Sequence, residues 1–383
     1  DNSSTLIFVG SELNIEVTPG KITQVTLSVD YNTGGIEVDF SFPEVSDPEW
    51  QYVGPAQFSD PGAASFSFYN DNGTLYVAHR DESVSYRFTL EKFNGTSWEV
   101  VGNKGFTGGD AYWASLYVDN GIPYMGYRDA STNRAIVRKY NGTNWETVGG
   151  DFVSSDAINF VSFTVLQSIP YIAYTNYTTG TIVKRFNGTS WEAVGNNISE
   201  SINKVLKGSN GELYLAYRDA QTYQCFVTKF NGTDWDIVGG TGISEGDALN
   251  PSLHGIDLFI YNGTPYVAYS DHINDQKVTV KLFNGTSWEI VGQAGFSNVN
   301  VYYPSIYVYN GTPFVAYPNM GYGGQSGYGV VQKFDGSSWV NVGASPFTEE
   351  MGDHTIILTG YNGTLYAAYN TKPSSQMSVM KFE

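Results

Sequence analysis

The stretch FNGTSWEVVG, residues 93–102, returns as YNGTNWETVG at 140–149 and FNGTSWEAVG at 186–195, and three more times before the chain ends. With the tryptophans in register, Trp50, Trp98, Trp145, Trp191, Trp235, Trp288 and Trp339 mark seven copies spaced 48, 47, 46, 44, 53 and 51 residues apart. A second element runs out of phase with the first. It reads GTLYVAHRD (73–81), GIPYMGYRD (121–129), SIPYIAYTN (168–176), GELYLAYRD (211–219), GTPYVAYSD (263–271), GTPFVAYPN (311–319) and GTLYAAYN (363–370). Short alternating segments joined by glycine turns at a period in the forties predict four-stranded propeller blades, since one blade cannot bury both its faces alone.

The expected fold is all-β: a seven-bladed β-propeller of four-stranded antiparallel blades. In one unit ASLYVDN (114–120) reads as the first strand, IPYMGYRD as the second, RAIVRKY (134–140) as the third and NWETVG (144–149) as the outer fourth. Asn-Gly between alternating runs predicts type I′ turns from strand one to two and from three to four. The tryptophan past the second turn supplies apolar surface that pins each outer strand to the neighbouring blade. A small residue recurs in every second strand, at Ala78, Gly126, Ala173, Ala216, Ala268, Ala316 and Ala368, and marks a tight contact between blades near the channel.

The chain joins the repeat at EWQYVG (49–54), a fourth strand with no predecessors, and leaves it at SVMKFE (378–383), a third strand with no successor. The strand around Trp50 is therefore expected to complete the C-terminal blade and close the ring, removing two exposed sheet edges. Residues 1–46 alternate like strands in LIFVG, LNIEVTP, ITQVTLSV and GIEVDFSF but carry no repeat. They read as a β-rich N-terminal extension or partial β-sandwich, with the propeller spanning 47–383.

Composition agrees. Only 15% of residues are charged, while 29 Tyr, 22 Phe, 8 Trp and 43 Gly suit aromatic strands and tight turns. A net charge of −18 repels phosphate backbones and anionic lipid surfaces, so nucleic acid and membranes are not expected partners. One cysteine, Cys225, excludes an internal disulfide framework, and its strand-like setting predicts a buried thiol. No apolar run is long enough to span a bilayer, and the DNSSTLIF beginning without an initiating Met leads to the expectation of a secreted, periplasmic or cell-surface bacterial protein, monomeric.

The NGTSW turn resembles the Asp-box of sialidases and related secreted propellers, Ser-x-Asp-x-Gly-x-Thr-Trp. The Gly95-to-Trp98 spacing is kept, while Phe93, Tyr140, Phe186, Phe230, Phe283 or Phe334 replaces the aspartate. In that family the box is a structural turn, so the resemblance implies fold and no functional residue. The region from about 49 onwards looks like the seven-bladed repeat propellers of exported bacterial proteins.

Both Asn-Gly turns share one face of a propeller, so longer and less uniform connections such as NKGFTGGDAYW (103–113) crowd the other. Ligand sites on rigid scaffolds favour such loops. Three groups project there. The ends of second strands give Arg80–Asp81, Arg128–Asp129, Arg218–Asp219 and Ser270–Asp271, a partial ring that suits a sugar or carboxylate ligand, or else caps its own loops and pairs across blades. Asp110, Asp156, Asp247 and Asp353 stand just before first strands, as turn formers, as ligands for Ca²⁺ or as an acid/base pair. Trp113 lies outside the sevenfold register beside Tyr112, and Tyr302 and Tyr303 form a second aromatic pair; these either stack on sugar rings or plug the channel. His79, His254, His272 and His354 lack metal spacing, and neither a phosphate loop nor a nucleophile elbow is present. No cofactor is expected apart from that Ca²⁺.

The sequence thus reads as a binding module for carbohydrate or protein that uses its loop-rich face, non-catalytic rather than enzymatic. A glycan-cleaving hydrolase or lyase with carboxylates at the channel mouth is the alternative, and a scaffold domain the third reading.

Overall fold

A computed structural model describes residues 26–30, 37–41, 48–176, 178–198, 201–244, 255–320, 327–352 and 355–383. The chain divides into two compact units, 1–49 and 50–383. In the first, Thr26–Asp30 and Glu37–Ser41 pair antiparallel, Thr26 opposite Ser41 and Asp30 opposite Glu37. The strands expected in LIFVG and LNIEVTP lie outside the described residues.

The second unit contains seven four-stranded antiparallel sheets. Blade 1 runs Ala64–Asp71, Thr74–Asp81, Arg87–Phe93 and Trp98–Val100, and blade 2 runs Ala111–Asp119, Ile122–Asp129, Ala135–Tyr140 and Trp145–Thr147. Blades 3 to 6 follow with inner strands Ile158–Leu166, Ser201–Ser209, Ile256–Tyr261 and Ser305–Tyr309. Blade 7 takes Ile357–Tyr361, Thr364–Asn370 and Met377–Phe382 from the end of the chain and Trp50–Tyr52 from near its beginning. Trp50 pairs with Phe382 and Tyr52 with Met380. The inner strand of blade 7 meets that of blade 1, so the ring closes.

The repeated tryptophan does one job seven times. Each indole N–H donates to the valine carbonyl in the Val-Gly that ends the preceding copy: Trp98 to Val53 at 2.9 Å, Trp145 to Val101 at 3.1 Å, Trp191 to Val148 at 2.7 Å and, across the closure, Trp50 to Val342 at 2.8 Å. Trp235, Trp288 and Trp339 repeat the bond. A loop phenylalanine stacks on four of these rings, as Phe106 does on Trp145 with centroids 3.9 Å apart. The conserved spacing of aromatic, turn, tryptophan and Val-Gly therefore encodes a rim contact, with the N–H satisfied inside an apolar stack.

Hydroxyl side chains tie the inner strands together. Backbone N–H groups of Leu116, Phe163, Leu206 and Leu358 donate to the hydroxyls of Ser67, Ser115, Ser162 and Ser305, each on the blade before, at 2.9–3.1 Å. Asp257 takes that part for Ile306. Gly126 shows why the second strands carry small residues: a Cβ there would stand 3.0 Å from Phe163 Cβ in the next blade.

The turns from first to second strand are type I′ as expected, with positive φ at both central residues, 49° at Asn72 and 92° at Gly73 in blade 1. The turns from third to fourth strand are not. Phe93 pairs with Trp98 across four residues, and only Gly95 has positive φ. Here the Asn94 side-chain oxygen accepts the N–H of Thr96 and of Ser97, both at 2.9 Å, while its own N–H donates to Ser97 O. Asparagine serves as an acceptor rather than as a left-handed residue, which is why Asp335 replaces it in blade 6 with the same bonds.

Candidate functional site

The inner strands of all seven blades line a central channel of about 600 Å³. The sequence-predicted residues at the loop-rich ends of the blades separate into three kinds.

The aspartates that end second strands are turned into their own loops. Asp81 accepts the N–H and hydroxyl of Ser83 and the hydroxyl of Thr89 at 2.6–2.9 Å. Asp219 accepts the N–H groups of Gln221 and Thr222, and Asp271 the hydroxyl of Thr279 and the amide of Asn274. Asp129 accepts the hydroxyls of Ser131 and Thr132 and the N–H of Thr132. Burial alone would push the Asp129 carboxyl up, but these donors outweigh it and hold it below the usual carboxylate range. With the folded value below the unfolded one, about 3.9, this stabilisation is complete above about pH 4 and is lost as pH falls through the folded value. Asp129→Asn is thus expected to cost about 1–2 kcal/mol at pH 7 and to approach wild type in acid, as pH falls through the folded value, read from denaturation midpoints at neutral and acidic pH. An equal gap at both would show that the charge contributes nothing.

The second kind stands apart from the cluster over blades 1 to 3. Arg218 is buried and donates from Nε to Tyr223 O at 2.9 Å. Asp156 is exposed, hydrogen-bonded to Ser155. Tyr302 offers its carbonyl to the Gly255 N–H, and Tyr303, 40% exposed, lines the channel mouth beside blade 6. Asp247 and Asp353 lie outside the described residues. Among the described residues no three His, Cys, Asp or Glu side chains converge on a metal position. Burial pushes the Cys225 thiol up to about 11, so it remains protonated at neutral pH. No helix among the described residues is long and apolar enough to cross a membrane.

The third kind forms a cluster over blades 1 to 3. Arg80 grips Asp110 with two bonds of 2.9 Å and reaches the Tyr112 hydroxyl at 3.1 Å. Its guanidinium lies over the rings of Tyr86 and Tyr112 at 4.3 and 4.4 Å. One blade on, the Arg128 guanidinium lies 4.3 Å over Trp113 and 5.2 Å from the Tyr112 ring. Trp113 in turn meets Phe160 of blade 3, centroids 5.0 Å apart.

The backbone explains how two large rings reach this place. The first hairpins of blades 2 and 3 both carry a β-bulge, between Tyr112 and Ser115 and between Asn159 and Val161. Trp113 has φ 48° and Phe160 φ 47°, left-handed values that bulky residues rarely adopt. Such backbone costs about 1–3 kcal/mol per residue and clusters at functional sites. The bulge re-aims each side chain off the strand's normal alternation. Phe160 and Tyr86 belong to the cluster although their single-sequence patterns did not single them out. The signal available for Phe160 is that it falls in register with Trp113 one blade later.

A second cleft, of about 490 Å³, opens on the tight-turn face between blades 4 and 5. It contains Glu212 and Lys229, which pair with each other, and the Tyr214 hydroxyl donates to Glu212 at 2.6 Å.

No family model matches the chain and no curated protein resembles it in sequence. Solved structures share its fold. An ulvan lyase of polysaccharide lyase family PL25 superposes with TM-score 0.56 at 11% identity, over 84% of this chain and 94% of its own. AofleA from Arthrobotrys oligospora gives 0.52 at 12%, over 78% and 91%. The SapL1 lectin in complex with alpha methyl fucoside gives 0.49 at 16%, over 75% and 97%.

Proposed function

We propose that this chain is a glycan-binding propeller, exported or displayed on a cell surface, that takes its ligand on the loop-rich face over blades 1 to 3. The observation that carries this reading is the Trp113–Phe160 pair, held by strained left-handed backbone in the inner strands of blades 2 and 3 beside Arg128. Sugar rings present C–H faces that stack on aromatics and hydroxyls that bond to guanidinium and carboxylate, and the cluster supplies both kinds of surface. A polysaccharide-acting enzyme, the ulvan lyase, has the same fold, which supports glycans as the ligand class. Binding is favoured over cleavage because Asp110, the carboxylate beside the rings, is already bidentate with Arg80, an arrangement that fixes geometry rather than shuttling protons.

The test is a glycan array probed with wild type and Trp113→Ala, followed by chromatography of the captured glycan. Losing the ring should weaken binding by about 1–3 kcal/mol, by analogy with stacking of bases on aromatic side chains. The glycan should be recovered at its original length. Absence of any ligand for wild type defeats the proposal, and shortened glycan converts it into the enzymatic alternative.

A further inference from the structure

Blade 2 repeats the arrangement that neutralises Arg80 but leaves out the acid. Ala111 pairs with Asp129 in blade 2, and Ile158 pairs with Asn176 in blade 3. This register puts Ala157 and Asn159 where Asp110 and Tyr112 stand one blade earlier. Arg80 spends its donors on Asp110 and Tyr112. Arg128 occupies the same place in the next second strand, and the position that would answer it with a carboxylate carries a methyl group. Its Nε is buried without a hydrogen-bond partner, and among the described residues its contacts are the rings of Trp113 and Tyr112.

A guanidinium carries five N–H donors in a planar fork, and leaving one desolvated and unpaired is unfavourable. Aromatic faces attract the cation but accept no strong hydrogen bond in the plane of the fork. The partner that suits the open terminal N–H groups of Arg128 is a carboxylate arriving edge-on in the plane of the fork, as Asp110 meets Arg80 in plane one blade earlier. We infer that Arg128 holds the carboxylate of an acidic glycan, a uronate, while Trp113 and Phe160 carry the sugar ring. This rests on the glycan-binding reading above and narrows it to a ligand class. It also gives a strongly acidic chain, net charge −18, a local point at which an anion is welcome.

The experiment is calorimetric titration with oligouronates of four to six residues, the same oligosaccharides with their carboxylates reduced to alcohols, and sulfated neutral oligosaccharides. Wild type should prefer the oligouronate over its reduced form by about tenfold or more, as expected for a charge-assisted bidentate bond. Arg128→Gln should abolish the preference. Ala157→Asp should abolish uronate binding while keeping or raising the thermal midpoint, because it installs the internal carboxylate that blade 1 already uses; its retained fold separates blocking from unfolding. Equal binding of oligouronate and reduced oligosaccharide, unchanged affinity in Arg128→Gln, or wild-type affinity in Ala157→Asp would each overturn the inference, as would preference for the sulfated probe. If neutral oligosaccharides bind wild type and lose affinity in Trp113→Ala with no dependence on Arg128, the uronate assignment fails and the glycan-binding reading stands. If none of the probes binds, the uronate assignment fails, and the glycan array alone decides the broader reading.

Discussion

Deleting residues 377–383 is expected to abolish folding of the propeller, and Trp50→Ala to destabilise it by about 3–5 kcal/mol, the range for truncating a large packed aromatic. The strand Met377–Phe382 lies between Thr364–Asn370 on one side and Trp50–Tyr52 on the other, so its removal orphans both. The seam is wider than the ladder. Val53 N–H donates to Val379 O, Phe58 N–H to Met377 O and Met377 N–H to the Ser59 hydroxyl, and the Gln376 amide spans to the carbonyls of Gln57 and Ser59. Trp50 adds its bond to Val342 and a stack on Phe347 at 4.2 Å. The loss should appear as an early single transition in chemical denaturation, because an opened ring exposes the facing surfaces of blades 1 and 7 together. A truncated chain that remains folded with a wild-type midpoint would mean that six blades and a fragment suffice, and that the seam contributes little.

The closure was legible in the sequence because it follows from counting: a fourth strand without predecessors at Trp50 and a third without a successor at Met377–Phe382 leave one arrangement that fills every blade. The role of the tryptophans was legible for the same reason, since a feature repeated seven times in one register serves the repeat rather than a single ligand. What resisted reading was whatever a local side chain decides against the pattern. Asn94 bonds to its own turn, so Asn-Gly there marks a four-residue loop although the same dipeptide at Asn72–Gly73 makes a two-residue one. The bulges at Trp113 and Phe160 break the period of two on which strand reading depends, so the meeting of these rings across two blades is not visible in the alternation. The Arg80–Asp110 pair spans 30 residues, and its importance emerges only on comparison with Arg128, where the acid is replaced by Ala157.

Two glycines with nearly the same φ separate the energetic parts of the rim contact. Gly121 has φ 79° and open space where a Cβ would stand, whereas Gly149 has φ 77° and would place a Cβ 2.6 Å from Trp191 Nε1 and 2.7 Å from Phe186 Cε2. Gly121→Ala meets backbone strain alone, about 1–2 kcal/mol for a left-handed alanine. Gly149→Ala meets the same strain and in addition forces Trp191 off the Val148 carbonyl, to which its indole N–H donates at 2.7 Å, so overpacking adds about 1–3 kcal/mol. The second variant is therefore expected to be the less stable by that increment, and the indole N–H resonance of Trp191 should move only in the second. The same geometry recurs at Gly102, Gly195 and Gly343, where a Cβ would press on Trp145, Trp235 and Trp50 at 2.8–3.2 Å. Glycine after valine is thus demanded twice over at each blade boundary, by the sign of φ and by the ring that covers it. Equal destabilisation of the two variants would leave only the first demand standing and remove the tryptophan contact from the account of how the blades cohere.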